Sequence, residues 1–180
     1  MEREQDNTII GRILAGDTEA YREMIGRHGE QVFSLVAGIV RNSEDAEELT
    51  SDVFLKAFGQ IHKFRGESKF STWLYRIAYN TALSHVRKKR HTSVDMDESS
   101  IEAIDNDAEE TILKEAALER LEEAIEMLNV AEKAVIELFY MQSMPIEDIA
   151  AVTEDTPGNV KIKLFRTRKK LASFIKSNVV

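Results

Sequence analysis

Between Lys63 and Tyr79 the chain interleaves rings with cations: Phe64, Phe70, Trp73, Tyr75 and Tyr79 stand among Lys63, Arg65, Lys69 and Arg76. An unstacked base needs a flat surface to lie on and a counter-charge for its phosphate, so this mixture suits single-stranded nucleic acid. At about 100° per residue, Trp73, Leu74, Ile77, Ala78 and Thr81 share one helical face and are expected in the core. Arg76, Asn80 and Arg87 fall on a separate polar stripe. Phe64 and Phe70 flank a loop, which favours contact over burial. The plain alternative is an aromatic core with a solvated basic rim.

Two further stretches carry patterned chemistry. Residues 145–171, PIEDIAAVTEDTPGNVKIKLFRTRKKL, read as a short helix, a turn and a basic helix, the helix-turn-helix order. Val160 and Leu164 are expected to face inward, leaving Lys161, Ile162, Phe165, Arg166 and Lys169 outward. An ordinary hairpin with a basic solvent face would share the pattern. In SEDAEELTSDVF (43–54), Asp45, Glu48 and Asp52 recur on one stripe beside an apolar face. Taken alone, that stripe reads as a solvated acidic surface. Nothing comparable supports catalysis. His28, His62, His85 and His91 lack ligand-like spacing and are expected at the surface or in caps. There is no glycine-rich phosphate loop and no nucleophile elbow, so neither enzyme, metal nor cofactor is expected.

The elements that must position these residues are helices. Proline is absent before Pro145, and no period-2 run stands out. Asp17 can cap a helix reaching about Arg41, and Ser43 the next one. The loop Phe64–Lys69 leads into a helix from about Ser71 to Arg87. Leu118, Leu121, Ile125 and Leu128 mark another amphipathic helix. Asn129-x-x-Glu132 has the form of a capping box, Pro145 precedes a short helix, and Thr156-Pro157 opens the last. The expected fold is all-α: two small helical domains, 1–90 and 112–180, joined by an acidic linker, 91–111.

Charge agrees with that division. The net charge is −8 over 180 residues, yet residues 91–113 alone hold eight acidic side chains and no basic one. Ser68–Val94 and the stretch from Thr156 onward are purely basic in their charges. Two basic stripes about an acidic spacer suggest two separate polyanion contacts. An apolar fraction of 43% excludes a disordered tail. No uncharged run is long enough to span a membrane, MEREQDN does not read as a signal peptide, and the lack of cysteine suits a reducing cytoplasm.

Together these stretches resemble a known family. DAEELTSDVFLKAF followed by KFRGESKFSTWLYRIAYNTALSHVRKKR resembles region 2 of a bacterial extracytoplasmic-function sigma factor. LNVAEKAVIELFYMQSMPIEDIAAV and GNVKIKLFRTRKKL resemble its region 4. The resemblance implies a non-catalytic promoter-specificity subunit that binds core RNA polymerase. Asp45, Glu48, Leu49 and Asp52 would dock on the clamp helices of the β′ subunit. Lys63, Phe64, Arg65, Lys69, Phe70, Trp73, Arg76, Asn80 and Arg87 would capture the melted −10 strand. The last helix would enter the major groove at −35 through Asn159, Lys161, Ile162, Lys163, Phe165, Arg166 and Lys169. Region 4 would rest on the β flap, the linker would run towards the RNA exit path, and an anti-sigma protein is a further partner of the family.

The chain departs from the family pattern at Tyr79, Ser84, Asn159 and Ile162. It departs also at Glu154 and Asp155, turn positions where glycine and an apolar residue are usual. Two rivals remain on the residues alone. A free-standing helix-turn-helix regulator leaves the aromatic loop and acid stripe without a role, and a protein-binding helical adaptor leaves both basic stripes without one.

Overall fold

A computed structural model describes residues 2–92 and 109–177, and among the described residues the secondary structure is helical, without a strand. The first half holds α1 (Glu2–Leu14), α2 (Thr18–Val40), α3 (Ser43–Gln60) and α4 (Phe70–Thr92). The second holds α5 (Glu109–Glu126), α6 (Val130–Ile136), α7 (Ile146–Thr153) and α8 (Pro157–Ser177). The all-α expectation is met. The expected linker, apart from its ends, lies outside the described residues.

Local chemistry sets the helix ends. Asp17 caps α2 by accepting from the Glu19 N–H at 2.9 Å, and Arg41 closes it in the left-handed conformation. Asn42, one residue before the expected Ser43, caps α3; its side-chain oxygen accepts from the Asp45 N–H at 2.7 Å. Asn129 and Glu132 form both bonds of a capping box at the start of α6. Pro157 begins α8, where its missing N–H leaves no helical bond unmade, and Thr156 Oγ1 accepts from the Asn159 N–H.

α1 goes beyond the sequence reading. Its Ile9, Ile10 and Ile13 are buried, and it covers one side of α2. That cover also overturns the surface placement of His28, which is only 4% exposed. His28 Nε2 lies 3.2 Å from Asp6 Oδ1 of α1, and Arg27 Nε donates to the same oxygen at 3.1 Å. Without α1 in view, the sequence offered nothing to bury this histidine.

The first half packs around Met24, Val32, Leu35, Val53, Phe70 and Leu74, the second around Val135, Leu138, Ile149, Val152 and Val160. The two groups form one contiguous apolar cluster, because α2 and α4 lie against α6 and α7. Polar contacts reinforce the junction. Ser34 Oγ donates to Glu137 Oε1 at 2.5 Å, and Arg41 Nη2 to Glu126 Oε1 at 2.9 Å. Gly38 admits this approach: a Cβ there would lie 3.1 Å from Glu137 Oε2.

Candidate functional site

α3 and α4 run antiparallel, as Asp45 near the start of α3 meets Lys89 near the end of α4 while Lys56 meets Thr81. Beyond that last contact the two helices and the turn Ile61–Lys63 frame an open cleft of about 500 Å³. Lys63, Trp73, Arg76 and Asn80, all expected from the sequence, line it together. Arg65 and Lys69 are exposed on the loop, and Arg87 is exposed farther along α4. Lys56, Gln60, Ile77, Thr81 and Ser84 also line the cleft. Lys56 and Gln60 stand four residues apart on α3, a spacing visible in the sequence. Their position opposite Asn80 depends on helix pairing and was not.

Phe70 requires correction. It is 1% exposed, and its ring packs edge-on against Phe64 at 5.5 Å and tilted against Trp73 at 5.6 Å. As the first residue of α4 it turns inward, onto the His28 ring. It therefore supports the half-buried Phe64 and Trp73 and offers no face of its own to a base. Tyr75 and Tyr79 are likewise buried.

The acidic stripe divides. Glu48 is exposed and Asp52 half-buried, but Leu49 lies in the core, where it supports the stripe without being presented by it. Asp45 turns towards α4, accepting from Lys89 Nζ at 3.0 Å and lying 3.2 Å from His85 Nε2. The Lys89 ammonium, with His85 beside it, holds the Asp45 carboxyl below its ordinary value.

In the second half, Val160, Leu164 and Thr167 anchor α8 inward. Asn159, Lys161, Ile162, Phe165, Arg166 and Lys169 are exposed, Phe165 to 68% and Ile162 to 49%. Lys161, Arg166 and Lys169 make no ion pair among the described residues. Three further cations of the helix are engaged. Arg168 lies over the Phe139 and Tyr140 rings at 5.2 and 5.4 Å, and Lys170 bonds Glu132 and the Met127 carbonyl. Lys163 Nζ donates to Asp155 Oδ2 at 2.6 Å, so it is drawn back from the outward stripe.

The turn keeps the backbone of a glycine-bearing turn without the glycine. Glu154 has φ 56° and ψ 40°, and the Asp155 N–H donates to the Ala150 carbonyl. Glu154 then reaches across the junction: its Oε1 lies 2.5 Å from Arg76 Nη2, and it closes one side of the cleft. Asp148 lies 3.6 Å from Lys69 Nζ. Two cations expected to meet a melted strand thus meet carboxylates of the helix-turn-helix. Among the described residues no three or more His, Asp or Glu side chains come together in a way that could hold a metal ion.

Comparison with known proteins follows the same division. Residues 24–92 match the family model of sigma-70 region 2, and residues 118–171 that of sigma-70 region 4. The ECF RNA polymerase sigma-E factor of Escherichia coli K12 is 30% identical, over 93% of this chain and 93% of its own length. The RNA polymerase sigma-H factor of Pseudomonas aeruginosa is 27% identical over 94% and 93%. Among solved structures, CnrH in complex with the cytosolic domain of CnrY matches with a TM-score of 0.70 at 20% identity, covering 96% of this chain and 98% of that one. RpoE from Bartonella quintana, in complex with the anti-sigma factor NepR, also reaches 0.70 at 20% identity, over 89% and 99%. At that identity these two speak for the fold.

Proposed function

The chain belongs to the extracytoplasmic-function sigma factors of the sigma-70 family, and we propose that it serves as the promoter-specificity subunit of a bacterial RNA polymerase. It binds the core enzyme and promoter DNA. Phosphodiester chemistry belongs to the polymerase, and the chain contributes none of its own. The work is done in the cytoplasm; no helix among the described residues is long and apolar enough to cross a membrane.

One observation carries the reading: an aromatic, cationic cleft on the first half accompanies a bare basic recognition helix on the second. We assign residues 1–90 to region 2, 112–180 to region 4 and the acidic stretch between them to a spacer. Lys63, Trp73, Arg76 and Asn80 hold the −10 strand, with Phe64 as a stacking edge and Arg65, Lys69 and Arg87 on its phosphates. Lys161, Arg166 and Lys169 meet the −35 duplex, with Ile162 and Phe165 as apolar contacts. Glu48 and Asp52 face the β′ clamp helices, and region 4 rests on the β flap. An anti-sigma protein, as RpoE has in NepR, is a further partner.

The test is to mix the chain with core polymerase and promoter templates. Initiation at defined starts is expected. A stand-alone regulator would bind duplex DNA with no need of polymerase, and an adaptor would bind no DNA.

A further inference from the structure

We infer that Asp155 determines which base the first turn of α8 reads, by fixing the amide of Asn159. The inference rests on region 4 meeting the −35 duplex as proposed above.

Asp155 projects from the turn, its side chain 15% exposed, and every partner it has there is a donor. Oδ1 accepts from Asn159 Nδ2 at 2.8 Å and from the Thr156 N–H at 2.9 Å; Oδ2 accepts from Lys163 Nζ at 2.6 Å. An exposed asparagine can turn its amide over at little cost, so its oxygen and nitrogen exchange places freely. Asn159 cannot, because the flipped amide would set its oxygen against a carboxylate that only accepts. The NH₂ group is held towards Asp155, leaving Oδ1 and one N–H available. A donor beside an acceptor matches N7 and the N6 amino group of adenine in the major groove, and no other base offers that pair to an amide.

The first turn of a recognition helix is the part that meets base edges, and Asn159 is exposed there. The same carboxylate draws Lys163 away from the outward stripe and balances its charge. Asp155 is thus a positioning residue, with two effects on one surface: it pre-sets an adenine reader and removes a phosphate contact. An apolar residue at this turn position would do neither.

The experiment uses core polymerase loaded with the full chain and a promoter set in which each −35 base pair is replaced in turn, scored by binding and by initiation. The wild type is expected to prefer adenine at one −35 position by roughly tenfold, and Asn159→Ala to lose that preference. Asp155→Ala should lose it too, with no further loss in the double variant. Asp155→Asn, whose amide can donate as well as accept, should recover it only in part. Thermal melting accompanies each variant, and Asp155→Leu replaces Asp155→Ala if the latter does not fold. If Asp155→Ala keeps the adenine preference and only raises or lowers binding to every duplex alike, the inference is overturned. A wild-type chain that fails to initiate overturns the proposed function and this inference together; one that initiates with base preference indifferent to Asp155 overturns the inference alone.

Discussion

Glu154 occupies a left-handed backbone conformation that glycine adopts freely and that costs a larger residue about 1 kcal/mol. Its ion pair with Arg76 joins two half-exposed side chains and offsets little of that. Glycine's extra freedom in the unfolded chain takes back a part as well. Glu154→Gly is therefore expected to stabilise the full chain by less than the strain alone, about 0.5 kcal/mol, read as a slightly higher urea midpoint. A lower midpoint would mean that the contact to Arg76 outweighs the strain. The neighbouring Asp155 acts in the other direction. Lys163 chiefly, then Asn159 and the Thr156 N–H, hold its carboxyl at about 2, below the ordinary 3.8. A carboxylate with a lowered folded value stabilises the fold above its unfolded value, and that contribution fades as pH falls through the folded one. The stability difference between wild type and Asp155→Asn should thus be full above about pH 4 and shrink towards about pH 2. Thermal melts across that window read it. Asp45 shifts in the same direction but is common to both proteins, so it cancels. A difference that stays constant through the window would remove the Asp155 carboxylate from the account.

At the scale of elements, α3 presents Glu48 and the exposed Leu55 outward and turns Leu49 and Val53 inward, so its two faces can be changed separately. Glu48 is exposed and Asp52 half-buried, and neither forms an ion pair among the described residues. Glu48→Lys with Asp52→Lys should weaken capture of core polymerase severalfold while the melting curve stays in place, since a rim charge acts through complementarity with a partner. Undiminished capture would take α3 out of the polymerase interface. The helices themselves were largely legible in the sequence, because caps are local: Asp17, the Asn129–Glu132 box and Thr156-Pro157 each use neighbours within four residues. What was not legible depends on partners far along the chain. α1 has three apolar anchors and closes on Gly16 at φ 89°, but nothing within it names the helix it covers, so its cover over His28 went unseen. Phe70 was expected to face a strand because a loop precedes it, yet helix α4 starts at that residue and turns the ring inward. The outward stripe of α8 followed from period alone; the withdrawal of Lys163 did not, since it needed the position of Asp155.

At the scale of the whole molecule, the halves are closed on one another. Arg76 cannot serve Glu154 and a phosphate at the same geometry, and Lys69 stands likewise near Asp148. A melted strand entering the cleft must displace these carboxylates. Replacing both, as Asp148→Asn with Glu154→Gln, should raise the affinity of the free chain for a single-stranded −10 oligonucleotide severalfold, measured by fluorescence anisotropy. It should also steepen the dependence of binding on salt, as more cations become available to release counterions from the strand. Unchanged affinity would show that the cleft is open to DNA even with these pairs in place.

Gly38 extends this from charge to volume. Its missing side chain is the space into which Glu137 fits, with the nearest carboxylate oxygen 3.1 Å from where a methyl group would begin. It touches neither the cleft, the acid stripe nor the outward face of α8. If the halves part to admit a strand, a side chain here would shift that balance like a rheostat, from a position remote from every surface that reads or docks. A wedge costing about 1 kcal/mol would multiply the parted fraction roughly fivefold. Two proteins with identical promoter-reading residues could thus differ in readiness through a single carbon atom.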